Sequence, residues 1–255
     1  MRRLPLRRQA KLLLVAGAMT SVAAVAGEIG RRRGGQGAYL VGVTGAVAAG
    51  KSTFAAQLVE ALTAGGLTVE TVCTDGFLMN NAALTATGAL NRKGFPESYD
   101  MAAMRAALAA LRAGPADIPG YSHVIYDIDP ALTRRIEPAG VVIVEGLALH
   151  EGAAAVGLDA LIYLDADEAH LEAWYAERFV DLWRAAEHDP TSFYAQFRHL
   201  SEPETRAFAV RVWQAINLPN LREHIVKGRD VADLVVRKGP DHAILAVSER
   251  TGAAG

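Results

Sequence analysis

Cysteine is nearly absent from this chain of 255 residues, because Cys73 is the only one. A single thiol excludes a disulfide framework within the chain and fits a reducing compartment. Cys73 lies in an apolar run. The pattern therefore predicts a small buried core residue rather than a reactive thiol.

An excess of charge of either sign is also lacking, since the formal net charge is −2. This balance argues against a general nucleic-acid or polyanion binder, although a local phosphate site remains compatible with it. Apolar residues make up 51% of the chain and charged residues 21%, which favours a packed core over disorder. The length suits one sizeable α/β domain better than two small ones.

No apolar run is long enough to predict a membrane span. The basic start MRRLPLRRQAK is followed by LLLVAGAMTSVAAVAG, which is shorter than the ~20 residues that a spanning helix needs. This order resembles a signal peptide, and the next segment, GEIGRRRGGQG, resembles a basic linker rich in glycine. We interpret residues 1–36 as an apolar helix followed by this linker, and residues 37–255 as the main domain.

Short apolar runs alternate with helical patterns through the rest of the chain. Strands are predicted at 38–43, 67–74, 140–146, 159–166, 231–238 and 242–249. Helices are predicted at 51–66, 100–114 with Asp100 as N-cap, 168–186 and 204–217. This alternation predicts an α/β fold with a mainly parallel central sheet flanked by helices on both faces. The ligand crevice is then expected beyond the carboxyl ends of the strands.

The segment GAVAAGKS (45–52) fits the phosphate-loop pattern G-x-x-x-x-G-K-[ST], with a predicted strand before it and a predicted helix after it. Its glycines let the backbone curl so that N–H groups point inward, and the helix start adds positive charge. Lys51 is expected to reach the β- and γ-phosphates, and the Ser52 hydroxyl to ligate Mg²⁺. The predicted nucleotide-binding residues are Gly45, Ala46, Val47, Ala48, Ala49, Gly50, Lys51, Ser52 and Thr53.

Motors, GTPases and kinases share this loop, so it does not identify the reaction. The sequence has no Asn-Lys-x-Asp stretch for guanine recognition, which weakens the GTPase alternative. An ATP-dependent enzyme would lack its cosubstrate outside the cytosol. We therefore expect the N-terminal segment to be a packing helix and the protein to be cytoplasmic.

Two carboxylates follow predicted strands at the expected crevice. Asp75 comes after the strand that follows the phosphate-loop helix, where a kinase needs a carboxylate near the acceptor hydroxyl. The alternative for Asp75 is a turn residue in Asp-Gly. Glu145 ends the run VVIVE, where a carboxylate suits a metal, a water or a cation, or a cap on the next turn. On residue type and position alone, either residue could serve the metal.

Two further segments, 91–101 and 120–128, concentrate aromatic, cationic and hydroxyl side chains in predicted loops. In the predicted helix 168–186, Tyr175, Arg178 and Phe179 share one face and could line a pocket wall. A core stripe is the alternative; it accounts for Trp174 and Phe179 but poorly for Arg178.

Six motifs together resemble the bacterial type I pantothenate kinases, in the phosphoribulokinase/uridine kinase group of P-loop kinases. The motifs occur in that family's order and are VCTDGFL, RKGFPESYDM, YSHVIYDI, VVIVEGL, WYAERF and AINLPNL. The resemblance runs from about Tyr39 to Val247. It implies a P-loop kinase domain over 37–255 that uses ATP and Mg²⁺ to convert pantothenate to 4′-phosphopantothenate, the first step of coenzyme A biosynthesis.

The same resemblance implies a role for each matching residue. Asp75 would orient or deprotonate the pantothenate hydroxyl, and Lys51 and Arg178 would neutralise the transferring phosphoryl group. Ser52 and Glu145 would serve Mg²⁺. The implied substrate-binding residues are Lys93, Tyr121, His123, Tyr126, Tyr175 and Asn217, of which Lys93 matches a basic residue near the phosphates.

A homodimer and feedback binding of coenzyme A are also implied by the resemblance. Ala56, however, stands where relatives often carry an arginine associated with that feedback, which weakens the expectation. Two alternative functions remain open: a P-loop kinase of the same fold acting on a nucleoside, a sugar phosphate or glycerate, or a paralogue that binds nucleotide without catalysis.

Overall fold

The computed structural model describes residues 20–35, 37–137, 139–149 and 151–250. Eight strands occur in these residues: β1 (Tyr39–Gly45), β2 (Val69–Cys73), β3 (Ala116–Ser122), β4 (Asp127–Ile136), β5 (Val141–Glu145), β6 (Ala160–Asp165), β7 (Leu234–Lys238) and β8 (Ile244–Glu249). Six of them form one sheet in the order β2-β5-β1-β6-β7-β8, while β3 and β4 form a separate hairpin. All neighbours in the large sheet are parallel except β7 and β8.

The helices lie mainly between these strands along the chain. They are α1 (Val22–Arg33), α2 (Lys51–Ala64), α3 (Asn81–Ala86), α4 (Met101–Ala113), α5 (Ala153–Val156), α6 (Glu168–Ala185), α7 (Glu202–Val212), α8 (Leu218–Asn220) and α9 (Lys227–Val231). None of them, within the described part of the chain, is long and apolar enough to cross a bilayer.

The centre of the sheet is buried on both faces, as the apolar runs predict. Consecutive residues of a strand point to opposite faces, and Val141–Val144 in β5 and Ala160–Leu164 in β6 are all buried. Helix α2 packs on β1, β2 and β5 on its way back from the phosphate loop. The prediction of a mainly parallel α/β sheet flanked by helices is confirmed.

The start of the described chain corrects the predicted linker. Helix α1 has Ser21 as its N-cap, with the Ser21 side chain accepting from the Ala24 N–H at 3.2 Å, and it ends at Gly34 in the left-handed conformation. The run Arg31–Arg33 is therefore helical, and the buried Glu28 accepts hydrogen bonds from Arg31 and Arg32. Residues 1–19 of the predicted apolar helix, and Gln36, lie outside the described residues.

The segment 120–128 is a hairpin rather than the predicted loop. Strands β3 and β4 pair antiparallel, with an irregularity between Ile118 and Gly120 where Pro119 cannot donate a ladder hydrogen bond. A Cβ at Gly120 would lie 2.3 Å from the Leu132 Cβ, so only glycine lets the two strands approach this closely.

Cys73 also differs from expectation, because it is exposed at the carboxyl end of β2 rather than buried in the core. Its neighbour Val72 points the other way and is 1% exposed. The apolar run is correct as a strand, but the side chain of Cys73 at its end is not in the core.

The predicted N-cap of helix α4 is confirmed, since the Asp100 carboxylate accepts from the Ala103 N–H at 2.9 Å. Asp100→Ala should lower the free energy of unfolding by about 1 kcal/mol because it leaves a helix N–H without its partner. Urea denaturation measures this change. Glu60→Ala, on the exposed face of α2, is the matched control and should leave stability nearly unchanged. Equal stability of the Asp100 variant and the wild type would contradict the capping role.

Candidate active site

The phosphate loop joins the buried strand β1 to helix α2 in the conformation that its sequence predicts. Gly45 has φ +144°, and a Cβ there would lie 2.5 Å from the Leu164 carbonyl oxygen. Ala48 (φ 61°) and Gly50 (φ 78°) are left-handed, a conformation that costs alanine about 1 kcal/mol. Gly50 is the N-cap of α2 and provides no side chain, so the first N–H groups of the helix remain available for an anion.

The Lys51 ammonium lies over this loop. Its Nζ donates to the carbonyl oxygens of Gly45 at 3.3 Å and Ala46 at 2.9 Å. Burial lowers the pKa of Lys51, an effect that the carboxylates of Glu145 and Asp75 oppose. No carboxylate forms an ion pair with Lys51 among the described residues. The Lys51 ammonium is therefore available to pair with a negatively charged ligand at the loop.

Glu145 lies where three parallel strands end together. It is in register with Val43 of β1 on one side and Cys73 of β2 on the other. Its Oε1 accepts from the Ser52 hydroxyl at 3.0 Å, which joins the end of β5 to the start of α2. The structure therefore brings together the two side chains that were predicted to serve a metal.

Asp75 faces the same crevice from a 3₁₀ turn, Thr74–Phe77, that follows β2. The Tyr99 hydroxyl donates to Asp75 Oδ1 at 3.4 Å. Burial raises the pKa of Tyr99 well above its usual value, so the phenol stays protonated and remains a donor. Tyr99 was not predicted as a site residue, although it stands within the GFPESYD motif.

The β3–β4 hairpin supplies one wall of the crevice. Tyr121 lies edge-on to His123 at 5.1 Å and to Tyr126 at 6.2 Å between ring centroids. Tyr126 is left-handed (φ 55°) and stacks on Phe193 at 4.5 Å. Burial lowers the pKa of His123, with the Asp75 carboxylate opposing and Arg178 reinforcing this shift. The imidazole is therefore neutral at neutral pH.

The Lys93 side chain contacts the turn of this hairpin. Its Nζ donates to Asn81 Oδ1 at 2.6 Å and to the Tyr126 carbonyl oxygen at 2.7 Å. The same ammonium lies 4.9 Å and 4.6 Å from the ring centroids of Tyr121 and Tyr126. These contacts give no support to a position beside the phosphates, but they place Lys93 against Tyr121 and Tyr126, two other predicted substrate residues.

The opposite wall comes from helix α6 and the C-terminal helical region. Tyr175 lies beside Asn217, which lowers its pKa, but burial dominates and raises the pKa to about 12. Asn217 closes a π-helical turn, Trp213–Asn217, and a second π turn follows the helical segment that contains Pro219. Arg178 is exposed to the crevice and forms no ion pair among the described residues.

Residues of the phosphate loop, the carboxylates Asp75 and Glu145, and residues of both walls line one cavity of about 780 Å³. The predicted residues that line it are Val47, Ala48, Gly50, Lys51, Ser52, Thr53, Asp75, Lys93, Tyr121, His123, Tyr126, Glu145, Tyr175, Arg178 and Asn217. Gly45, Ala46 and Ala49 belong to the loop but do not line the cavity. Phosphate-binding, carboxylate and aromatic groups thus face one volume, which an acceptor molecule could share with a nucleotide.

Sequence reasoning missed several lining residues besides Tyr99, among them Trp174, Tyr194, Asn220 and His242. The core-stripe alternative accounted for Trp174, yet its ring lines the cavity and stacks on His242 with ring centroids 3.8 Å apart. Asn220 donates to the Gly94 carbonyl oxygen at 2.9 Å. The sequence signals that could have found them are the KGPDH turn after β7 and the second asparagine of AINLPNL.

A divalent metal fits this site with few protein ligands. Among the described residues, no group of three or more His, Cys, Asp or Glu side chains is arranged to hold a metal. Ser52 and Glu145 nevertheless offer adjacent oxygen donors at the phosphate loop. Mg²⁺ commonly takes one or two protein oxygens and completes its octahedron with phosphate oxygens and water. Such an ion would polarise the phosphates and offset their charge.

The similarity to known proteins covers long stretches of the chain and is not limited to the six motifs. The phosphoribulokinase/uridine kinase family model matches residues 40–178. The chain is 43% identical over 228 residues to a pantothenate kinase of Sorangium cellulosum (strain So ce56), covering 85% of this chain and 74% of that protein. It is 42% identical over 215 residues to a pantothenate kinase of Streptococcus equi subsp. zooepidemicus (strain H70), covering 81% and 70%.

A solved structure is similar in fold. D-glycerate 3-kinase from Cryptococcus neoformans var. grubii matches with a TM-score of 0.62, covering 92% of this chain and all of that one. At 14% identity, this similarity supports the fold alone.

The Ser52–Glu145 pair predicts a metal-dependent effect. Glu145→Gln removes a negative charge but keeps the size of the side chain, and should weaken Mn²⁺ binding to the protein with bound ADP roughly 10- to 100-fold. Electron paramagnetic resonance of free Mn²⁺ measures this affinity. Glu60→Gln is the control for loss of one carboxylate elsewhere. An unchanged Mn²⁺ affinity in Glu145→Gln would remove Glu145 from the metal site.

Proposed function

The chain belongs to the phosphoribulokinase/uridine kinase family and, within it, to the pantothenate kinases, and from this premise we propose that it transfers the γ-phosphoryl group of ATP to the 4′-hydroxyl of pantothenate. The observation that carries the proposal is one shared cavity. The phosphate loop, the Asp75 carboxylate and every predicted substrate residue face it. Donor and acceptor could therefore bind side by side without a large rearrangement.

Asp75 acts on the acceptor hydroxyl. Its carboxylate accepts the hydroxyl proton as the oxygen attacks the γ-phosphorus, and the bond to the leaving ADP oxygen breaks. Tyr99 keeps one oxygen of Asp75 engaged and so orients the other toward the substrate. Lys51 and Arg178 neutralise the charge on the moving phosphoryl group. Ser52 and Glu145 hold the Mg²⁺ of the nucleotide.

The walls hold pantothenate by complementary hydrogen bonds. Tyr121, Tyr126 and Tyr175 offer phenolic donors that burial keeps protonated. Neutral His123 can accept one hydrogen bond and donate another, and Asn217 has an amide with both functions. Lys93 lines this wall and supports it through its hydrogen bond to the Tyr126 carbonyl oxygen, while the Asp127 carboxylate 3.9 Å away offsets part of its charge.

The proposal also covers the cellular location and the oligomeric state of the protein. We infer that the protein acts in the cytoplasm, where ATP is available, and that two copies form a homodimer. A reporter fused to residues 1–36 tests the first inference, because export of the reporter would contradict it. Light scattering of the purified protein tests the second.

Feedback by coenzyme A is a separate question. Ala56 is exposed on α2 and cannot supply the arginine that many relatives carry there. We infer that coenzyme A inhibits weakly, and adding it to the kinase assay measures this directly.

The kinase proposal predicts a specific loss at Asp75. Asp75→Asn should reduce pantothenate-dependent ADP release about 10²- to 10⁴-fold, since the amide cannot take the hydroxyl proton. ADP binding should change little, because Asp75 serves the acceptor. A coupled ADP-release assay with Mg²⁺ and isothermal titration calorimetry measure the two quantities. Asp117→Asn, on an exposed part of β3, is the control and should keep full activity.

The same assay decides between the alternatives. Turnover with a nucleoside, a sugar phosphate or glycerate but not with pantothenate would assign the protein to a different kinase of this fold. Tight nucleotide binding without transfer to any of these alcohols would indicate a non-catalytic paralogue.

A further inference from the structure

The turn between β7 and β8 contacts the back of the phosphate loop. Lys238, the last residue of β7, is only 6% exposed, and its Nζ donates to the Ala49 carbonyl oxygen at 2.9 Å. A Cβ at Gly50 would lie 2.8 Å from that ammonium, so the loop and the side chain are in close contact. Lys238 belongs to no motif used in the sequence analysis.

The charge of Lys238 has no partner of opposite sign. Among the described residues it forms no ion pair, and the charge that influences it is the like charge of the Lys51 ammonium. Burial and the repulsion from Lys51 both lower the pKa of Lys238. Buried cations are normally paired. Two lysines that hydrogen-bond only to loop carbonyl oxygens, without an ion pair among the described residues, make the loop suited to a polyanion.

The hydrogen bond from Lys238 also fixes the direction of one peptide. A trans peptide is planar, so its carbonyl and N–H point in opposite directions. Because the Ala49 carbonyl is held against Lys238, the N–H of Gly50 must point to the opposite side. No hydrogen bond among the described residues uses that N–H, and Gly50 lines the cavity. Gly50, on one side of this peptide, has φ 78°, a left-handed conformation that glycine adopts without steric cost.

The turn is itself anchored to helix α6. Trp174 Nε1 donates to the Pro240 carbonyl oxygen at 3.0 Å, and the Trp174 ring stacks on His242. The Lys238 ammonium lies 5.8 Å from the centroid of that ring. The anchored turn gives the Lys238 side chain a fixed base from which to hold the loop.

We propose that Lys238 is a positioning residue for the nucleotide phosphates: it holds the Ala49 carbonyl away from the cavity so that the Gly50 N–H faces the phosphates. Its ammonium adds positive charge behind the loop, which bound phosphate neutralises. The proposal rests on the donor half of the proposed function and is independent of which alcohol accepts the phosphoryl group.

Binding of Mg²⁺–ADP and of inorganic pyrophosphate, measured by calorimetry without any acceptor, tests this role. Lys238→Met removes the donor and the charge, and should weaken both ligands by about tenfold or more and by similar factors. Lys238→Arg should bind within about threefold of wild type, because it restores a charged donor. Lys227→Met, an exposed lysine on α9, is the matched control and should bind as wild type does. In the kinase assay, the KM for ATP should rise in Lys238→Met while the KM for pantothenate stays unchanged.

Several outcomes would overturn the proposal. Wild-type affinity in Lys238→Met would do so, as would a loss of ADP affinity without a loss for pyrophosphate, since that pattern points to the base rather than the phosphates. If Lys238→Met does not fold, Lys238→Gln serves instead, because it keeps a donor without the charge. Weaker binding of both ligands by Lys238→Gln would support the role of the charge, and wild-type binding would contradict it.

Discussion

The close approach of the chain at Gly146 to the turn after β2 is the constraint on which the site depends. A Cβ at position 146 would lie 1.7 Å from Thr74 Oγ1, and the residue has φ +151°, so only glycine fits. This contact lets β5 and β2 end at the same level. Glu145 then lies beside the phosphate loop, and Asp75 follows within the turn that Thr74 begins. The relative positions of Glu145 and Asp75, the carboxylates that we propose bind the metal and accept the proton, thus depend on the absence of a Cβ at Gly146.

Positive charges without ion-pair partners in the described part of the chain lie close to the cavity, and this excess of positive charge indicates what kind of ligand the site can bind. Lys51, Arg178 and Lys238 have no ion-pair partners among the described residues, whereas surface arginines such as Arg222 and Arg206 are paired with glutamates. Like charges held close together destabilise a folded protein. A site that keeps them near one cavity is suited to a polyanion, and a nucleotide with its transferring phosphoryl group supplies the compensating charge.

Sequence reasoning located the parts of the site that depend on local chain geometry. The phosphate loop, the strand ends at Asp75 and Glu145, and the N-cap Asp100 follow from patterns that span a few residues. It failed where contacts join distant segments. The segment 120–128 was predicted as a loop, but it belongs to the β3–β4 hairpin, where Gly120 closely approaches Leu132. Tyr99 meets Asp75 across 24 residues, and no periodicity encodes that contact. Lys93 was expected at the phosphates, but its hydrogen bonds are with Asn81 and Tyr126.

Helix α6 lines the same cavity as the phosphate loop and the β3–β4 hairpin. Its adjacent residues Trp174 and Tyr175 make different contacts. Trp174 holds the turn that carries Lys238 and His242 at the donor side, while Tyr175 lines the acceptor wall with Asn217. A rotation of α6 large enough to move Tyr175 would also pull on Trp174, because both are fixed to one rigid backbone. The donor loop and the acceptor wall therefore share a common support. Arg178, one turn further along, lines the same cavity and has no ion-pair partner among the described residues, so the same helix would also supply the cation that we propose for the transfer.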